Sequence, residues 1–408
     1  MKSKSIGIVG AGLTGLTAAK ILSEKGFNVS VFEKFDVPGG RMRSEVVNGW
    51  ILDVGFQVLL TSYPYLQKHI TLDSLDLVEL DAAAIIFRDG KTTNVGDPFR
   101  TKNIFWETVF SDVGSVKDKI LIAKLKRFVD KRSIDDLFVK ENISSLKFLQ
   151  RFGFSEKIIE RFFKPFFGGI FLERELITSS RMLLFVFKMF ATGKAAIPSK
   201  GIGFVAETMV KDLSNVDFHF SCEIDQIEGQ SLRSKTGDTF NFDYIINTIP
   251  NYGVRNDNTI WTGCTCIYFE HDSPRIISTP RIGLNANQNK LINNIFYPSS
   301  ISKPKDKEGK ELISVTVLEC SYDDNKEKFI ERLKDELSSD FGINNVHFLS
   351  AYNIPFSLPK LSTLKNSMMF PKETIVFEAG DFLLNGSQNA ACKIGEAIAQ
   401  HIIQHNKR

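Results

Sequence analysis

Residues 5–44, SIGIVGAGLTGLTAAKILSEKGFNVSVFEKFDVPGGRMRS, decide the fold of this chain. The apolar run Ser5–Val9 predicts a buried parallel strand. Leu16–Lys25 has the periodicity of a helix, and Asn28–Phe32 predicts a second strand. A strand, a helix and a second strand in this order form a parallel unit whose strand ends can bind a ligand.

A glycine-rich turn, Gly10-Ala11-Gly12-Leu13-Thr14-Gly15, joins the first strand to the helix. Its first glycine allows the tight turn, the second lets the backbone approach a pyrophosphate, and the third lets helix and strand pack closely. Amides at the helix N-terminus carry partial positive charge and can hold the phosphates. Glu33, at the end of the second strand, can accept hydrogen bonds from ribose hydroxyls and disfavours a 2′-phosphate. This unit predicts a dinucleotide site without separating NAD from FAD.

A second glycine turn, Pro38-Gly39-Gly40-Arg41, follows at once. Two glycines let the chain pass close to a large ligand, and the arginine can pair with a phosphate or a flavin carbonyl oxygen. The whole stretch resembles the flavin-containing amine oxidase, phytoene desaturase and protoporphyrinogen oxidase superfamily, and this resemblance implies FAD. The positions that match the fingerprint of that superfamily are Gly10, Gly12, Gly15, Ala19, Leu22, Gly26, Val29, Val31, Glu33, Gly39, Gly40, Arg41 and Ser44.

The resemblance extends to later segments of the chain. It places Gly55-Phe56-Gln57 beside the isoalloxazine ring, the backbone of Ile224 at the adenine edge, and Thr248 near the adenosine. It places Asp381 near the ribityl or pyrophosphate groups and the helix start at Gln388 near the flavin pyrimidine, although Gln388-Asn389 departs from the commoner Asn-Gly or Gly-Ala. The predicted cofactor residues are Gly10, Ala11, Gly12, Leu13, Thr14, Gly15, Glu33, Lys34, Gly39, Gly40, Arg41, Gly55, Phe56, Gln57, Ile224, Thr248, Gly380, Asp381 and Gln388.

Composition bounds the remaining possibilities. The 408 residues are 43% hydrophobic and carry a net charge of +3, which permits a large core and does not suggest nucleic-acid binding. The five cysteines (Cys222, Cys264, Cys266, Cys320 and Cys392) form no CxxC pair. Cys264 and Cys266 lie two apart on a predicted strand and should face the same side, where a core position is favoured over a redox or metal role. A reduced chain without a metal site is therefore expected.

The chain enters its first predicted strand after four residues, which leaves no room for a signal or transit peptide. The longest apolar candidate, Met182–Ala191, is interrupted by Lys188 and is too short to span a bilayer. We therefore expect a cytoplasmic protein, with peripheral binding to a membrane as an alternative. The segment Lys117–Arg132 bears on that alternative because it alternates basic residues with an apolar stripe at Ile120, Leu121, Leu125 and Phe128. A solvated helix packed on a core is favoured over one lying on a membrane.

Phenylalanine is unusually common, with 35 residues, of which eleven fall between Phe148 and Phe190. Within Phe162–Phe171, Pro165 and the pair Gly168-Gly169 are expected to interrupt the helix and produce a bend. The resemblance places a similar element, Pro-x-x-Gly-Gly-Val-Phe, in the substrate domain. Most of these rings are expected in an aromatic core, and a subset in an apolar substrate pocket. The candidate substrate residues are Phe166, Phe167, Phe171 and Phe187.

The predicted fold class is α/β, with a Rossmann-type FAD-binding domain, a parallel sheet with helices, interleaved with a mixed α+β substrate domain. The FAD-binding domain is predicted in three segments, 1–64, 200–258 and 371–408. The substrate domain is predicted in two, 65–199, which is largely helical, and 259–370, a sheet with a helix.

The function expected from these features is an FAD-dependent oxidoreductase that dehydrogenates or desaturates a small, apolar, isoprenoid-like substrate by hydride transfer to flavin N5. The first alternative is an amine oxidase that releases hydrogen peroxide, for which Trp261 and Tyr352 are the nearest aromatic-cage candidates, although structural roles are favoured for both. A flavin-dependent isomerase and a non-catalytic FAD-binding protein are further alternatives. The sequence identifies no catalytic acid or base, electron acceptor, particular substrate or oligomeric state.

Overall fold

The computed structural model describes residues 3–55, 57–96, 112–250, 260–318, 325–361 and 363–406. Phe56, a predicted flavin contact, and Cys320 lie outside these ranges.

The described residues form several β-sheets, of which the two largest position the site. The bounds of their strands, and of the strands in the smaller sheets, are as follows. The strands are β1 (Ser5–Val9), β2 (Asn28–Phe32), β3 (Ser44–Val47), β4 (Trp50–Asp53), β5 (Leu59–Leu60), β6 (Leu77–Glu79), β7 (Ala83–Arg88), β8 (Lys91–Gly96), β9 (Ala195–Pro198), β10 (Val216–His219), β11 (Ile224–Glu228), β12 (Ser231–Ser234), β13 (Thr239–Asn241), β14 (Tyr244–Asn247), β15 (Ile260–His271), β16 (Ile282–Asn285), β17 (Ile292–Phe296), β18 (Glu311–Val317), β19 (Val346–Lys360) and β20 (Val376–Glu378).

Helices pack on the two large sheets and form much of the middle of the chain. The α-helices are α1 (Leu13–Glu24), α2 (Pro64–His69), α3 (Val116–Asp130), α4 (Ile134–Phe138), α5 (Ser145–Phe152), α6 (Glu156–Ile158), α7 (Lys164–Phe171), α8 (Ser180–Thr192), α9 (Phe204–Lys211), α10 (Lys326–Phe341) and α11 (Gln388–Asn406). A π-helical segment spans Ile159–Phe163, and short 3-10 turns span Leu72–Leu75, Pro298–Ser300, Lys305–Lys307 and Asp381–Leu383.

The first sheet is parallel, with the strand order β10-β2-β1-β14-β20. Its central strand β1 is apolar on both faces, and Ile6 and Ile8 are fully buried. Ile8 lies opposite Val31 on one side and Ile246 on the other, so the centre of the sheet joins the start of the chain to residues far along it. Helices α1 and α11 pack closely because Gly395 has no side chain; a Cβ there would lie 2.5 Å from the Thr14 carbonyl oxygen.

The second sheet is mixed and has seven strands in the order β19-β15-β18-β17-β16-β7-β8. Helix α10 covers one face, where Phe329, Leu333 and Leu337 pack on buried strand residues. Strands β7 and β8 were not predicted, since helical patterns dominate that part of the sequence. Their hairpin turns at Asp89-Gly90, where both residues have positive φ, and this dipeptide was the available signal.

The expected bend around Pro165 is wrong, because the chain is helical from Glu156 to Phe171. A π-helical turn, Ile159–Phe163, directly precedes α7, and Pro165 is the second residue of α7. Gly169 does not bend the helix but allows α7 to pack closely on β17. A Cβ at this position would lie 2.8 Å from Asn293 Nδ2 on that strand. The phenylalanines therefore project from one helical run over the mixed sheet.

Helix α3 packs on the core, which is the favoured interpretation of its pattern. Leu121, Leu125 and Val129 are buried at four-residue spacing. Ile120, expected in the same stripe, is 53% exposed because it lies about 100° around the helix from Leu121. None of the helices in the described ranges combines the length and apolar character that crossing a bilayer requires.

Asp118 joins the starts of α3 and α6. It is fully buried and accepts hydrogen bonds from Ser115 N (2.7 Å), Ser115 Oγ (2.6 Å), Ser155 N (2.8 Å) and Ser155 Oγ (2.7 Å). Burial acts to raise the pKa of Asp118, but these hydrogen bonds outweigh it and hold the pKa below its usual value. Asp136 forms the same capping box with Ser133 at an exposed position on α4.

We expect Asp118→Asn to lower the free energy of unfolding by about 1–3 kcal/mol, because an amide cannot accept on both heteroatoms. The difference from wild type should shrink below about pH 4, where Asp118 begins to protonate in the unfolded state. Urea denaturation at several pH values measures both effects. Asp136→Asn is the matched control and should cost much less; equal losses would contradict the role given to Asp118.

Candidate active site

One cavity of about 2060 Å³ lies between the carboxyl ends of the parallel sheet and the mixed sheet. Typical ligand pockets have about 300–1,000 Å³, so this cavity has room for a large cofactor and a second molecule. The polar end is lined by Gly10, Gly12, Glu33, Lys34, Gly40, Arg41, Ile224, Thr248 and Asp381. The apolar end is lined by Phe162, Phe166, Phe167, Phe171, Val186, Phe187 and Phe190.

Each of the three glycines in the first turn is required for a different structural reason. Gly10 has a φ of 102°, and a Cβ there would lie 2.5 Å from Thr248 Oγ1. A Cβ on Gly15 would overlap the Gly10 carbonyl oxygen, so Gly15 serves the packing of α1 on β1. A Cβ on Gly12 would meet nothing within 4 Å and would project into open space. The backbone at Gly12 is therefore shaped for a ligand and not for a neighbouring part of the chain.

Glu33 lies at the end of β2 and is 5% exposed. Its carboxylate accepts hydrogen bonds from Ala11 N at 2.9 Å and from Phe35 N at 3.1 Å. These bonds fix the carboxylate beside the glycine turn, where it also lines the cavity. The position suits an acceptor of ribose hydroxyls.

Arg41 and Asp381 form an ion pair between the two ends of the chain. Arg41 also donates from Nη1 to the Ser357 carbonyl oxygen at 2.8 Å, and its guanidinium lies 5.7 Å from the centre of the Trp261 ring. Gly380 precedes the aspartate, and a Cβ there would overlap the Phe382 ring. The pair places a cation and an anion together on the wall of the polar end.

Asp53 ties the second glycine turn to a later segment of the chain. Its Oδ1 accepts hydrogen bonds from Ser44 Oγ at 2.6 Å and from Ile202 N at 2.9 Å, and Ser44 Oγ accepts from Gly203 N at 2.8 Å. Burial raises the pKa of Asp53 to about 6, while the two hydrogen bonds oppose the rise. The carboxyl group therefore titrates well above its ordinary range.

Gln57 lines the cavity at the junction with the mixed sheet. Its Nε2 donates to Tyr268 Oη at 2.7 Å and to Ser314 Oγ at 2.9 Å, and the tyrosine hydroxyl donates to the Asp53 carbonyl oxygen at 2.8 Å. Cys264 and Cys266 face the same cavity, as their spacing predicted. Burial raises the pKa of Cys266 to about 11, which keeps that thiol protonated at neutral pH.

The start of α11 completes the polar end. Ser387 Oγ accepts a hydrogen bond from Ala390 N at 3.1 Å, and Gln388 Nε2 donates to the Val58 carbonyl oxygen at 3.3 Å. The Oε1 atom of Gln388 is buried and has no hydrogen-bond partner within the described part of the chain. The open face of Gly12 and this orphaned acceptor, on one cavity, fit a bound dinucleotide that carries its own donors. The residues present fit FAD.

The structure brings most of the predicted site residues together on one cavity. Ala11, Gly15 and Gly380 do not line the cavity; they support residues that do. The predicted cofactor residues on its wall are Gly10, Gly12, Leu13, Thr14, Glu33, Lys34, Gly39, Gly40, Arg41, Gly55, Gln57, Ile224, Thr248, Asp381 and Gln388. Tyr63 and the α3 residues Lys119, Ile122 and Lys126 also line the cavity and were not among the predicted residues. The helical spacing of those α3 residues was the available signal.

The candidate substrate phenylalanines all line the apolar end but differ in burial. Phe167 is 1% and Phe171 5% exposed, so both belong mainly to the core. Phe166 is half-buried and lies 5.4 Å, between ring centres, from both Phe162 and Phe190. Phe166 and Phe187, which is also half-buried, offer the cavity more of their surface.

Comparison with known proteins identifies the class of this site. The model of the flavin containing amine oxidoreductase family matches residues 13–352. The chain therefore belongs to the flavin-containing amine oxidoreductase family. This confirms the predicted superfamily, the α/β fold class, FAD as the cofactor and the class of FAD-dependent oxidoreductases.

Two curated relatives and one solved structure illustrate the similarity. The chain is 32% identical over 172 residues to protoporphyrinogen oxidase 2, chloroplastic/mitochondrial, of Arabidopsis thaliana, covering 41% of this chain and 33% of that protein. It is 44% identical over 59 residues to the zeta-carotene-forming phytoene desaturase of Myxococcus xanthus, covering 14% and 11%. The matches thus span a third or less of these relatives. An oxidoreductase from Methanosarcina mazei has the same fold, with a TM-score of 0.73 at 17% identity over 97% of this chain and 100% of that one.

Gly12→Ala should fold as stably as wild type and bind FAD at least about tenfold more weakly, because the new methyl group enters only ligand space. The φ of −79° at Gly12 is compatible with alanine. Thermal unfolding of the FAD-free protein and quenching of FAD fluorescence measure the two properties. Gly15→Ala is the control and should lose both stability and FAD binding. If Gly12→Ala bound FAD with normal affinity, the placement of the cofactor against the backbone of Gly12 would be wrong.

The raised pKa of Asp53 predicts a pH dependence of stability. Between about pH 4 and pH 6 the folded state holds this proton more tightly than the unfolded state, so stability falls as pH rises through that window. Asp53→Asn cannot titrate, and the stability of wild type relative to this variant should fall by about 1.4 kcal/mol per unit of pKa shift. Urea denaturation from pH 4 to pH 7 measures the difference; a difference that stays constant would contradict the raised pKa.

Proposed function

We propose that this protein is an FAD-dependent oxidoreductase that dehydrogenates a small, apolar, isoprenoid-like molecule. The observation that carries the proposal is the continuity of the cavity, whose polar end suits the cofactor and whose apolar end is walled by phenylalanines. The family membership supports the redox class, and the lining of the apolar end supports the substrate class.

Bound FAD would supply the acceptor for a hydride taken from a substrate C–H bond. The chain itself contributes orientation and the exclusion of water. Phe166 and Phe187 line the cavity and can hold an apolar body by shape and by burial of its surface. Holding a substrate in the reactive geometry lowers the entropic part of the barrier without any protein acid or base.

Three carboxylates on the cavity wall indicate that the chain acts by positioning the substrate and not by transferring a proton. Glu79 is paired with Lys194 at 2.5 Å, and Asp81 with Arg281 at 2.8 Å. Glu173 accepts a hydrogen bond from Thr178 N at 2.7 Å. Each of these carboxylates already has a structural partner, which disfavours it as a general base.

Amine oxidation is the alternative with a specific structural requirement, an aromatic cage at the site. Trp261 packs against Arg41 and Phe382, and Tyr352 Oη donates to Glu45 at 3.1 Å. Neither of these two rings lines the cavity. This favours the apolar substrate over an amine. A flavin-dependent isomerase and a non-catalytic FAD-binding protein are distinguished by the experiment below.

Anaerobic titration of the FAD-loaded protein with a panel of isoprenoid hydrocarbons and amines tests the proposal. We expect the flavin absorbance to bleach with an isoprenoid and to remain with the amines. Bleaching by an amine, with peroxide formed under air, would favour the oxidase. A product that forms only after prior reduction of the flavin, without net electron uptake, would favour the isomerase. A flavin that no member of either set affects would favour the non-catalytic protein.

Replacing cavity phenylalanines should weaken substrate binding without affecting the cofactor. Phe166→Ser and Phe187→Ser are each expected to raise KM for the bleaching isoprenoid about tenfold, because burial of a large apolar side chain contributes about 1.5–3 kcal/mol. The affinity for FAD should stay unchanged. Phe348→Ser is the control, since Phe348 is 37% exposed and does not line the cavity. An unchanged KM in both cavity variants would contradict the location of the substrate.

A further inference from the structure

Tyr63 carries a hydroxyl that the described part of the chain leaves without a partner. The residue directly precedes α2, is 6% exposed and lines the cavity. Its backbone is fully used, because its N–H donates to the Leu60 carbonyl oxygen at 3.1 Å and its own carbonyl oxygen accepts from Gln67 N at 3.0 Å. The ring stacks on Phe185 with 5.7 Å between ring centres. Only Tyr63 Oη makes no hydrogen bond to any described residue.

The hydroxyl of a buried tyrosine ordinarily has a hydrogen-bond partner. Tyr268 follows that rule, since its hydroxyl donates to the Asp53 carbonyl oxygen at 2.8 Å and accepts from Gln57 Nε2 at 2.7 Å. Burial raises the pKa of Tyr63, and no hydrogen bond opposes the rise. The hydroxyl of Tyr63 is therefore protonated at neutral pH and can donate.

This hydroxyl is not sealed inside the protein. Across the described ranges, five polar side-chain atoms are enclosed and lack a hydrogen bond, and they belong to Thr17, His271, Tyr297 and Gln388. Tyr63 Oη is not one of these atoms, so it keeps contact with open space. The space that Tyr63 lines is the cavity. A ligand in the cavity can therefore reach this donor.

Tyr63 lies between the two ends of the cavity. On one side, Tyr65 donates from its backbone N to Asn389 Oδ1 at 3.0 Å, which ties this segment to the start of α11 and so to the polar end. On the other side, Phe185 belongs to α8, whose next residues include Phe187 on the wall of the apolar end. A molecule that extends from the phenylalanines toward the cofactor would pass this position.

We propose that Tyr63 Oη donates a hydrogen bond to a neutral oxygen atom on an otherwise apolar substrate. The inference rests on the proposed function and narrows its substrate class from hydrocarbons to oxygenated isoprenoid-like molecules. A neutral oxygen suits this position because an anion buried beside apolar rings would lose more hydration than one hydrogen bond restores. The bond would fix how far the apolar body extends along the phenylalanines, and so which C–H bond is held in the reactive geometry.

Equilibrium dialysis of the FAD-loaded protein without oxygen measures this contact. The three probes are farnesol, its methyl ether and the hydrocarbon in which hydrogen replaces the hydroxyl of farnesol. Tyr63→Phe removes one hydroxyl and keeps the ring that stacks on Phe185. This variant should bind farnesol and the ether about fivefold to tenfold more weakly than wild type, as the loss of one hydrogen bond predicts. Binding of the hydrocarbon, and the affinity for FAD, should stay unchanged.

Tyr244→Phe is the matched control. It removes a tyrosine hydroxyl from β14, outside the cavity lining, where that hydroxyl accepts from Lys4 Nζ at 3.3 Å. It should leave the binding of all three probes unchanged. Urea denaturation supplies a second readout: Tyr63→Phe should be at least as stable as wild type, because it breaks no internal hydrogen bond. A loss of stability of about 1 kcal/mol or more would show an internal partner and overturn the proposal.

The remaining outcomes separate the subsite from the proposed function. If Tyr63→Phe binds the oxygenated probes as tightly as wild type, or loses the hydrocarbon equally, the subsite is wrong and the apolar site stands. Weaker binding of FAD by Tyr63→Phe would also overturn the subsite, because it would assign the hydroxyl to the cofactor. If wild type binds none of the three probes, the proposed function itself is wrong.

Discussion

The central strand β1 imposes the constraint on which the rest of the structure depends. A parallel strand buried on both faces must be hydrogen-bonded on both edges, and β1 finds one partner in β2 and the other in β14. The chain therefore leaves the parallel sheet after its first part, builds the helices and part of the mixed sheet, and returns. That return brings Thr248 beside Gly10, and five further strands of the mixed sheet, β15 to β19, follow before β20 rejoins the parallel sheet. The cavity forms because the chain leaves the parallel sheet and later returns to it.

Two polar contacts hold the separate segments at the cavity in register. Asp53 and Ser44 bind the turn at Ile202, and Arg41 binds Asp381 at the far end of the sequence. Arg41 belongs to the second glycine turn, and Ser44 follows that turn by three residues. The same short segment thus closes the cofactor end from two sides, which explains why its sequence carries so much of the information about the site.

The cofactor half could be predicted from the sequence because its constraints are local. Gly10, Gly12 and Gly15 are fixed by the backbone geometry of one turn, and Glu33 by the strand that follows. The other half depends on packing between distant segments. Local rules predict a bend at Pro165, yet the helix continues through a π-helical turn that precedes this proline. Gly169 is required because Asn293, on a strand more than a hundred residues away, packs against it.

One cavity should hold FAD at its polar end with the flavin facing the phenylalanines. A crystal structure of the FAD-loaded protein measures this placement. We expect electron density for the ribose at Glu33, the pyrophosphate over Gly12, and the isoalloxazine at the junction near Gln57 and Cys266. Density that places the flavin away from that junction, with the apolar end closed off from it, would contradict this arrangement.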